Sequence, residues 1–322
     1  MRRYEHLSAG ERDRIAGMRA AGAGVREIAR QIGRSASTVS RELARNGSGG
    51  RYGAISAQRA SEERRLACRP RRRLDDPALA DRVRSLISEA RWSPEQVDGR
   101  LRLEAGRCVV SLSTIYRAVA RGDLDLPGAE PVRRRLRRRG RRPRRGREEA
   151  RGRIRVQHEL AERPEEARAR SRLGDWEADT VVGPGGACLV TLVDRASRLL
   201  VGGLCAARSS AEVGDAMVAA LEGRPLETVT PDRGKEFANN AEVSERLGGA
   251  QFYFCQAHHP WEKGTNENTN GLIREFFPKG TSFSGVTDEE VAGAFALIND
   301  RPRKVLGFRT ANEVYREMLR SA

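Results

Sequence analysis

The chain has 322 residues and a formal net charge of +16, long enough for two or three domains with cores of their own. The charge is uneven: residues 1–170 carry 43 basic and 23 acidic side chains, residues 171–322 carry 17 and 21, so a polyanionic partner fits the first half. No apolar run approaches the ~20 residues with which a helix crosses a bilayer, which argues against a membrane-spanning helix; a ribosomal or membrane-surface role stays open on charge alone.

The opening MRRYEHLSAGERDR lacks the apolar core of a signal peptide, so a cytoplasmic, nucleoid-associated protein is expected. Residues 1–47 read as three short helices. Ser8 and Glu11 form a capping box for the first, Gly22 to Gly24 ends it, Val25 to Ile32 makes the second, and Gly33 turns the chain into a third from Ser35 to Arg45. Val39 and Leu43 face inward at i and i+4, which leaves Ser37, Thr38, Ser40, Arg41 and Arg45 outward. A short helix, a glycine turn and a helix with small polar and Arg side chains on its free face are the parts of a helix-turn-helix. An ordinary helical bundle is the alternative.

Residues 48–76 read as a linker, with a weak helix over 55–67. Residues 77–126 repeat the first theme. Ser93-Pro94-Glu95-Gln96 is a helix start, and SLSTIYRAVARG at 111–122 matches SASTVSRELARNG at 35–47 in its Ser, Thr, Arg and Ala positions. This predicts a second helix-turn-helix, with Thr114, Tyr116 and Arg117 as DNA contacts. Residues 127–170 form a connector in which eleven Arg fall between Arg133 and Arg147, a composition that grips phosphates. The pattern over 171–322 predicts strands at 173–182, 187–195, 199–205, 226–230 and 251–255. Helices are expected at 209–222, 239–247, 265–276 and 288–300, then a tail. The five cysteines are scattered without a C-x-x-C pair, which argues against a zinc site and a disulfide framework.

Three acids in this last region come from separate elements: Asp179 on a strand, Asp232 at a strand end and Glu267 on a helix. Three converging carboxylates are what a two-metal phosphoryl-transfer site needs, since each ion takes hard oxygen ligands and the pair clamps the attacking and leaving oxygens. Arg274 follows Glu267 by seven residues, nearly two helical turns, so both lie on one face. An amphipathic surface helix with an ion pair is the plainer reading of that helix alone.

The motifs W-x-x-D at Trp176–Asp179, D-x-G-x-E-F at Asp232–Phe237 and N-E-N-x-N-G-L-x-R at Asn266–Arg274 resemble the DDE signature of retroviral integrases and insertion-sequence transposases. The block HHPWEKGTNENTNGLIREFFPKGT at 258–281, with RPRKVLGFRT at 301–310, resembles the insertion-sequence-thirty family of bacterial transposases. The resemblance covers most of the chain. It implies an all-α helix-turn-helix half followed by an α/β ribonuclease-H-like catalytic domain over 171–322.

It further implies Asp179, Asp232 and Glu267 as ligands of two Mg²⁺ ions, with Mn²⁺ able to substitute. Strand alternation does not separate Asp179 from Asp175 and Glu177; the offset from Trp176 and the family pattern do. Asp194 is expected in a turn or cap, and Glu236 and Glu262 as supporting acids around the ligands. His258, His259, Lys263 and Arg274 are expected to touch DNA. Arg233 departs from the Asn common in integrases, which leaves the contacts beside Asp232 open. The implied activity is cleavage of double-stranded DNA at terminal inverted repeats and joining to target DNA, by a homo-oligomer in a synaptic complex. A DNA-binding regulator with an inactive nuclease-like domain and a nuclease that only hydrolyses are the rivals.

Overall fold

The computed structural model describes residues 5–48, 51–68, 71–136, 158–255 and 264–321, in two compact units, Met1–Arg72 and Arg73–Ala322. In the first unit, α1 (Ala9–Ala20) opens on the expected reciprocal Ser8–Glu11 box. α2 (Val25–Ile32) ends at Gly33, whose φ of 70° needs a residue without a Cβ. α3 (Ala36–Asn46) is capped by Ser35. Ile15, Ile28, Ile32 and Val39 close the core.

The helix expected over 55–67 is present, but the linker reading around it is corrected, because the segment belongs to the first unit up to Arg72. A two-residue hairpin, β1 (Gly47–Ser48) with β2 (Arg51–Tyr52), leads into α4 (Ala54–Ala67). The buried Ala57 and a polar network hold this segment to the bundle. Arg12 donates to Glu42 (2.8 Å), Gln58 (2.7 Å) and the Leu7 carbonyl (2.6 Å), and the Tyr52 hydroxyl donates to Glu42 (2.9 Å). A buried guanidinium needs this many acceptors to offset its lost hydration.

The second unit begins with a helical part: α5 (Pro77–Ser88), α6 (Pro94–Ala105), α7 (Leu112–Arg121) and α8 (Val132–Arg135). Val83, Ile87, Val97, Leu101, Ile115 and Val119 form its core, and Val132 joins them. The connector is therefore narrower than 127–170 at its start. It is narrower at its end too, because β3 (His158–Glu159) and α9 (Glu165–Ala169) already belong to the following domain. The Arg cluster beyond 136 lies outside the described residues.

That domain is built on β4 (Asp175–Val182), β5 (Cys188–Asp194) and β6 (Leu200–Cys205), then α10 (Ser210–Leu221), β7 (Thr228–Thr230), α11 (Asn240–Arg246) and β8 (Gln251–Phe254). α12 (Gly264–Ile273), α13 (Asp288–Asn299) and α14 (Ala311–Ser321) complete it. The sheet order is β3-β8-β7-β4-β5-β6. β4, β5 and β6 form an antiparallel meander, and β7 and β8 run parallel to β4.

This is the mixed sheet of the ribonuclease-H-like fold, and each expected strand lies within two residues of its observed bounds. β5 is buried along its whole length. Val190 and Leu192 pack with Trp176, Val213, Met217 and Val243 on one face. Leu189 and Val193 pack with Leu272, Ile273, Phe295 and Ile298 on the other. α10 and α11 therefore cover one face and α12 and α13 the other. The expected tail is the helix α14.

The helical part of this unit is fastened to the α/β part through α6. Arg100 grips Glu313 with two hydrogen bonds of 2.7 Å, and Lys304 reaches Glu95 at 2.7 Å. The ring of Phe308 lies against Gly99, and the Arg91 guanidinium stands 4.7 Å from the centroid of Phe276. The segment RPRKVLGFRT forms part of this docking surface.

Candidate active site

β4 carries three acids on one face, and burial separates them. Asp175 is buried against Arg172 (3.0 Å) and the Thr228 hydroxyl (2.7 Å). Glu177 is buried and paired with Arg195. Asp179 alone of the three stays half-buried, where solvent and substrate can reach it. The register of β4 against β7 ends at Glu177 opposite Thr230. Asp179 lies two residues beyond that pair on β4, and Asp232 two residues beyond it, past the end of β7. Asp232 sits where β7 gives way to a turn, and its Oδ1 accepts the Gly234 amide at 2.9 Å.

α12 meets this pair from the side. Asn270 Nδ2 donates to Asp179 Oδ2 at 2.8 Å, while the Thr180 amide binds Asp179 Oδ1 at 2.9 Å. Both oxygens of Asp179 are thus oriented. Position 267 falls one turn before Asn270 on the same helix; the Glu267 side chain, Glu262, Lys263, His258 and His259 lie outside the described residues. Among the described side chains no three His, Cys, Asp or Glu form a metal cluster. What is described suits a hard divalent cation: two half-exposed carboxylates, Asp179 on β4 and Asp232 just after β7.

Arg274 fastens the end of α12 to the end of β4. Its Nη2 donates to the Val182 carbonyl at 2.8 Å, with longer bonds of 3.5 Å to the carbonyls of Phe277 and Pro278. Its donors serve the fold first. Arg233 binds both oxygens of Glu159 (2.8 and 2.6 Å) and the Cys255 carbonyl (3.0 Å). It clasps the β3 edge to the end of β8. Asp194 takes the expected turn role: Oδ1 accepts the Ser197 amide and hydroxyl (2.7 and 2.6 Å) and Oδ2 the Gly174 amide (3.0 Å). Burial still pushes its carboxyl above the usual carboxylate range, with these hydrogen bonds opposing.

Glu236, 5% exposed, lies beside Asp232. Its Oε1 accepts the Thr180 hydroxyl at 3.0 Å and Arg208 Nη2 at 2.5 Å. Burial alone would lower the Arg208 pKa, but Glu236 and Asp232 outweigh it and hold the guanidinium above its ordinary value. Sequence reasoning passed over Asn270 and Arg208. Asn270 had a signal, being one helical turn from Glu267; Arg208 had none.

The two helix-turn-helix candidates share one device. Ser35 Oγ caps α3 and bonds the hydroxyls of Ser37 (2.9 Å) and Thr38 (2.8 Å). Ser111 caps α7 and does the same with Ser113 (3.2 Å) and Thr114 (2.9 Å). The repeated S-x-S-T is thus a repeated cap. Arg41, Arg45, Tyr116 and Arg117 are exposed on the two helices.

A helix-turn-helix domain family model matches residues 3–46. The transposase for insertion sequence element IS4351 of Bacteroides fragilis is 38% identical over 300 residues, 91% of this chain and 90% of that protein. The transposase InsI for IS30A of Escherichia coli is 37% identical, over 97% of this chain and 84% of its own. The transposase for IS1086 of Cupriavidus metallidurans is 37% identical, over 98% and 96%. This chain belongs to the IS30 family of transposases. It is an enzyme that acts on DNA, and its helix-turn-helix domain at residues 3–46 binds DNA. The crystal structure of the catalytic core of BIV integrase is similar over 46% of this chain and 96% of that one, with a TM-score of 0.38 and 16% identity. Among the described residues no helix is long and apolar enough to cross a membrane.

Proposed function

We propose that this transposase cuts DNA at the terminal inverted repeats of its element and joins the ends to target DNA, with Asp179, Asp232 and Glu267 holding two Mg²⁺ ions. The observation that carries the reading is the Asn270–Asp179 bond: it brings the helix that bears Glu267 against the strand that bears Asp179. When bound, the ions supply a nucleophile, from water or a 3′-hydroxyl, and stabilise the leaving oxygen.

The protein's part is positioning. Asn270 and the Thr180 amide fix the two oxygens of Asp179, and the Gly234 amide fixes Asp232. The ligands are thereby held before substrate arrives. No covalent protein–DNA intermediate is needed. α3 and α7 would read the ends through Ser37, Thr38, Arg41 and Arg45 and through Thr114, Tyr116 and Arg117. Lys263, and Arg274 through the N–H groups its carbonyl bonds leave over, would hold phosphates near the cut. A synaptic homo-oligomer would pair the two ends.

The test is purified full-length protein with a labelled terminal repeat, a target duplex and Mg²⁺ or Mn²⁺. Cleavage at the repeat followed by joined product is expected, with Ca²⁺ supporting binding only. Hydrolysis without joining would replace the proposal with a nuclease, and specific binding without cleavage with a regulator.

A further inference from the structure

α6 has two working faces, and each holds a different part of the second unit. Val97 and Leu101, one helical turn apart, share a core with Ile115 and Val119 of α7. Asp98 Oδ2 accepts the Leu112 amide at 3.1 Å, which satisfies one of the donors that the first turn of α7 leaves open. The far end of α7 is held as well, since Arg84 of α5 donates to the Leu124 carbonyl at 2.9 Å. On the other side, Glu95 and Gly99, again one turn apart, meet Lys304 and the ring of Phe308, and Arg100 binds both carboxylate oxygens of Glu313 on α14. A further tie ends beside the candidate site. Arg91, in the turn before α6, adopts φ 57°, a conformation that is costly for a residue with a Cβ. Its Nη1 donates to the Glu275 carbonyl at 3.3 Å, and its guanidinium stands 4.7 Å from the centroid of Phe276. Glu275 and Phe276 lie just past the end of α12, whose Asn270 binds Asp179. The outer face of α7 stays open, with Tyr116 and Arg117 exposed on it.

We infer that the part from α5 to α8 is a ruler: it holds α7 at one offset from Asp179, and that offset, rather than the sequence at the scissile bond, sets which phosphodiester the acids reach. This rests on the reading of α7 as a DNA contact and of Asp179 as an acid of the cutting site. One base pair is a step of about 3.4 Å along a strand, more than hydrogen bonds and a packed ring allow without breaking. Arg91, Arg100, Lys304 and Phe308 are then positioning residues. A dock that only buries surface is the competing account, and it predicts a cut that follows the terminal sequence.

The experiment uses the full-length protein on terminal-repeat DNA. Footprints of the wild type and of the double variant Tyr116→Ala, Arg117→Ala are compared, and the protection lost in the variant marks the base pairs that α7 covers. Base pairs are then inserted, one at a time, between that subsite and the cut, and the cut is mapped to the nucleotide. Each insertion should move the cut by one base pair, so that its distance from the subsite stays constant. In a second double variant, Arg100→Ala with Phe308→Ala, the cut on the original duplex should spread over neighbouring phosphodiesters while affinity in gel shifts stays unchanged.

A cut that stays at the terminal sequence in the inserted duplexes overturns the inference alone. So does an inserted duplex that is bound and left uncut, because a fixed arm still delivers a phosphodiester to the acids. A sharp, unmoved cut in folded Arg100→Ala, Phe308→Ala overturns the roles given to those two residues; if that variant does not fold, the insertion series on the wild type decides. Unchanged protection in Tyr116→Ala, Arg117→Ala overturns the reading of α7, and no cut in the original duplex overturns the cutting reading, and either takes the inference with it.

Discussion

Gly99 is a position where one methyl group tests how the helical part of the second unit is docked. A Cβ there would lie 2.2, 2.3 and 2.4 Å from Cδ1, Cε1 and Cγ of Phe308. Carbon atoms in good contact stand about 3.5–4.0 Å apart, so the ring must retreat by more than an ångström. Its freedom is small. Phe308 holds φ at 64° and its amide donates to the Arg303 carbonyl at 2.9 Å. Overpacking of this kind costs about 1–3 kcal/mol.

Against it stands the helix propensity of Ala over Gly in the interior of α6, about 1 kcal/mol. Gly99→Ala alone should therefore lower stability by about 0–2 kcal/mol. In a Phe308→Ala background the clash is gone and the same change should raise stability by about 1 kcal/mol. Denaturant unfolding of the four proteins in this cycle gives a coupling of about 1–3 kcal/mol. A Gly99→Ala that stabilises both backgrounds equally would refute the docking.

The remaining predictions concern the same two regions. Asn270→Ala removes a charge-assisted hydrogen bond to Asp179 of about 1.5–3 kcal/mol, so cleavage should fall tenfold or more while gel shifts with terminal-repeat DNA stay unchanged; full activity would mean Asp179 needs no such support. The Arg100 hydrogen bond, with the Thr310 amide and against burial, lowers the Glu313 pKa from the ordinary 4.5 to about 2. A depressed carboxylate stabilises above its unfolded pKa and loses that contribution as pH falls through the folded one. By protease sensitivity the docking should loosen between about pH 4.5 and 2, whereas Glu313→Gln, which lacks the charge from the outset, should show no such transition. Replacing six Arg between Arg133 and Arg147 with Gln should flatten the salt dependence of DNA binding, each lost phosphate contact removing roughly 0.9 from the log–log slope, and leave site preference intact; an unchanged slope would remove the connector from the interface.

Much of this architecture can be read from local pattern. Strand bounds follow from apolar runs closed by turns such as Gly183-Pro184-Gly185, and helix starts from caps such as Ser8 and Ser93, each of which forms its reciprocal box. Asp179 and Asp232 are picked out in the sequence by the motif offsets, and the structure leaves both half-buried.

What resists reading depends on partners distant in sequence. Arg208 and Glu236 meet across α10 and β7, and Arg100 and Glu313 lie 213 positions apart. No periodicity announces either pair. The helix at 55–67 can be read but its packing onto the bundle cannot, because a single buried residue, Ala57, faces the bundle and the rest of its sequence is as polar as a linker. β3 is only two residues long and gains its place from pairing with β8, a tertiary contact rather than a propensity.

The central claim is that Glu267 completes the site with Asp179 and Asp232, and its sharpest rival in sequence is Glu262. Strand cleavage and joining of terminal-repeat DNA by Glu267→Gln and Glu262→Gln, each with a gel shift on the same DNA, separate the two. Loss of both reactions in Glu267→Gln, with DNA still bound and Glu262→Gln only mildly affected, is the predicted result. Near-normal cleavage by Glu267→Gln beside an inactive, DNA-binding Glu262→Gln would contradict it and move the third ligand out of α12.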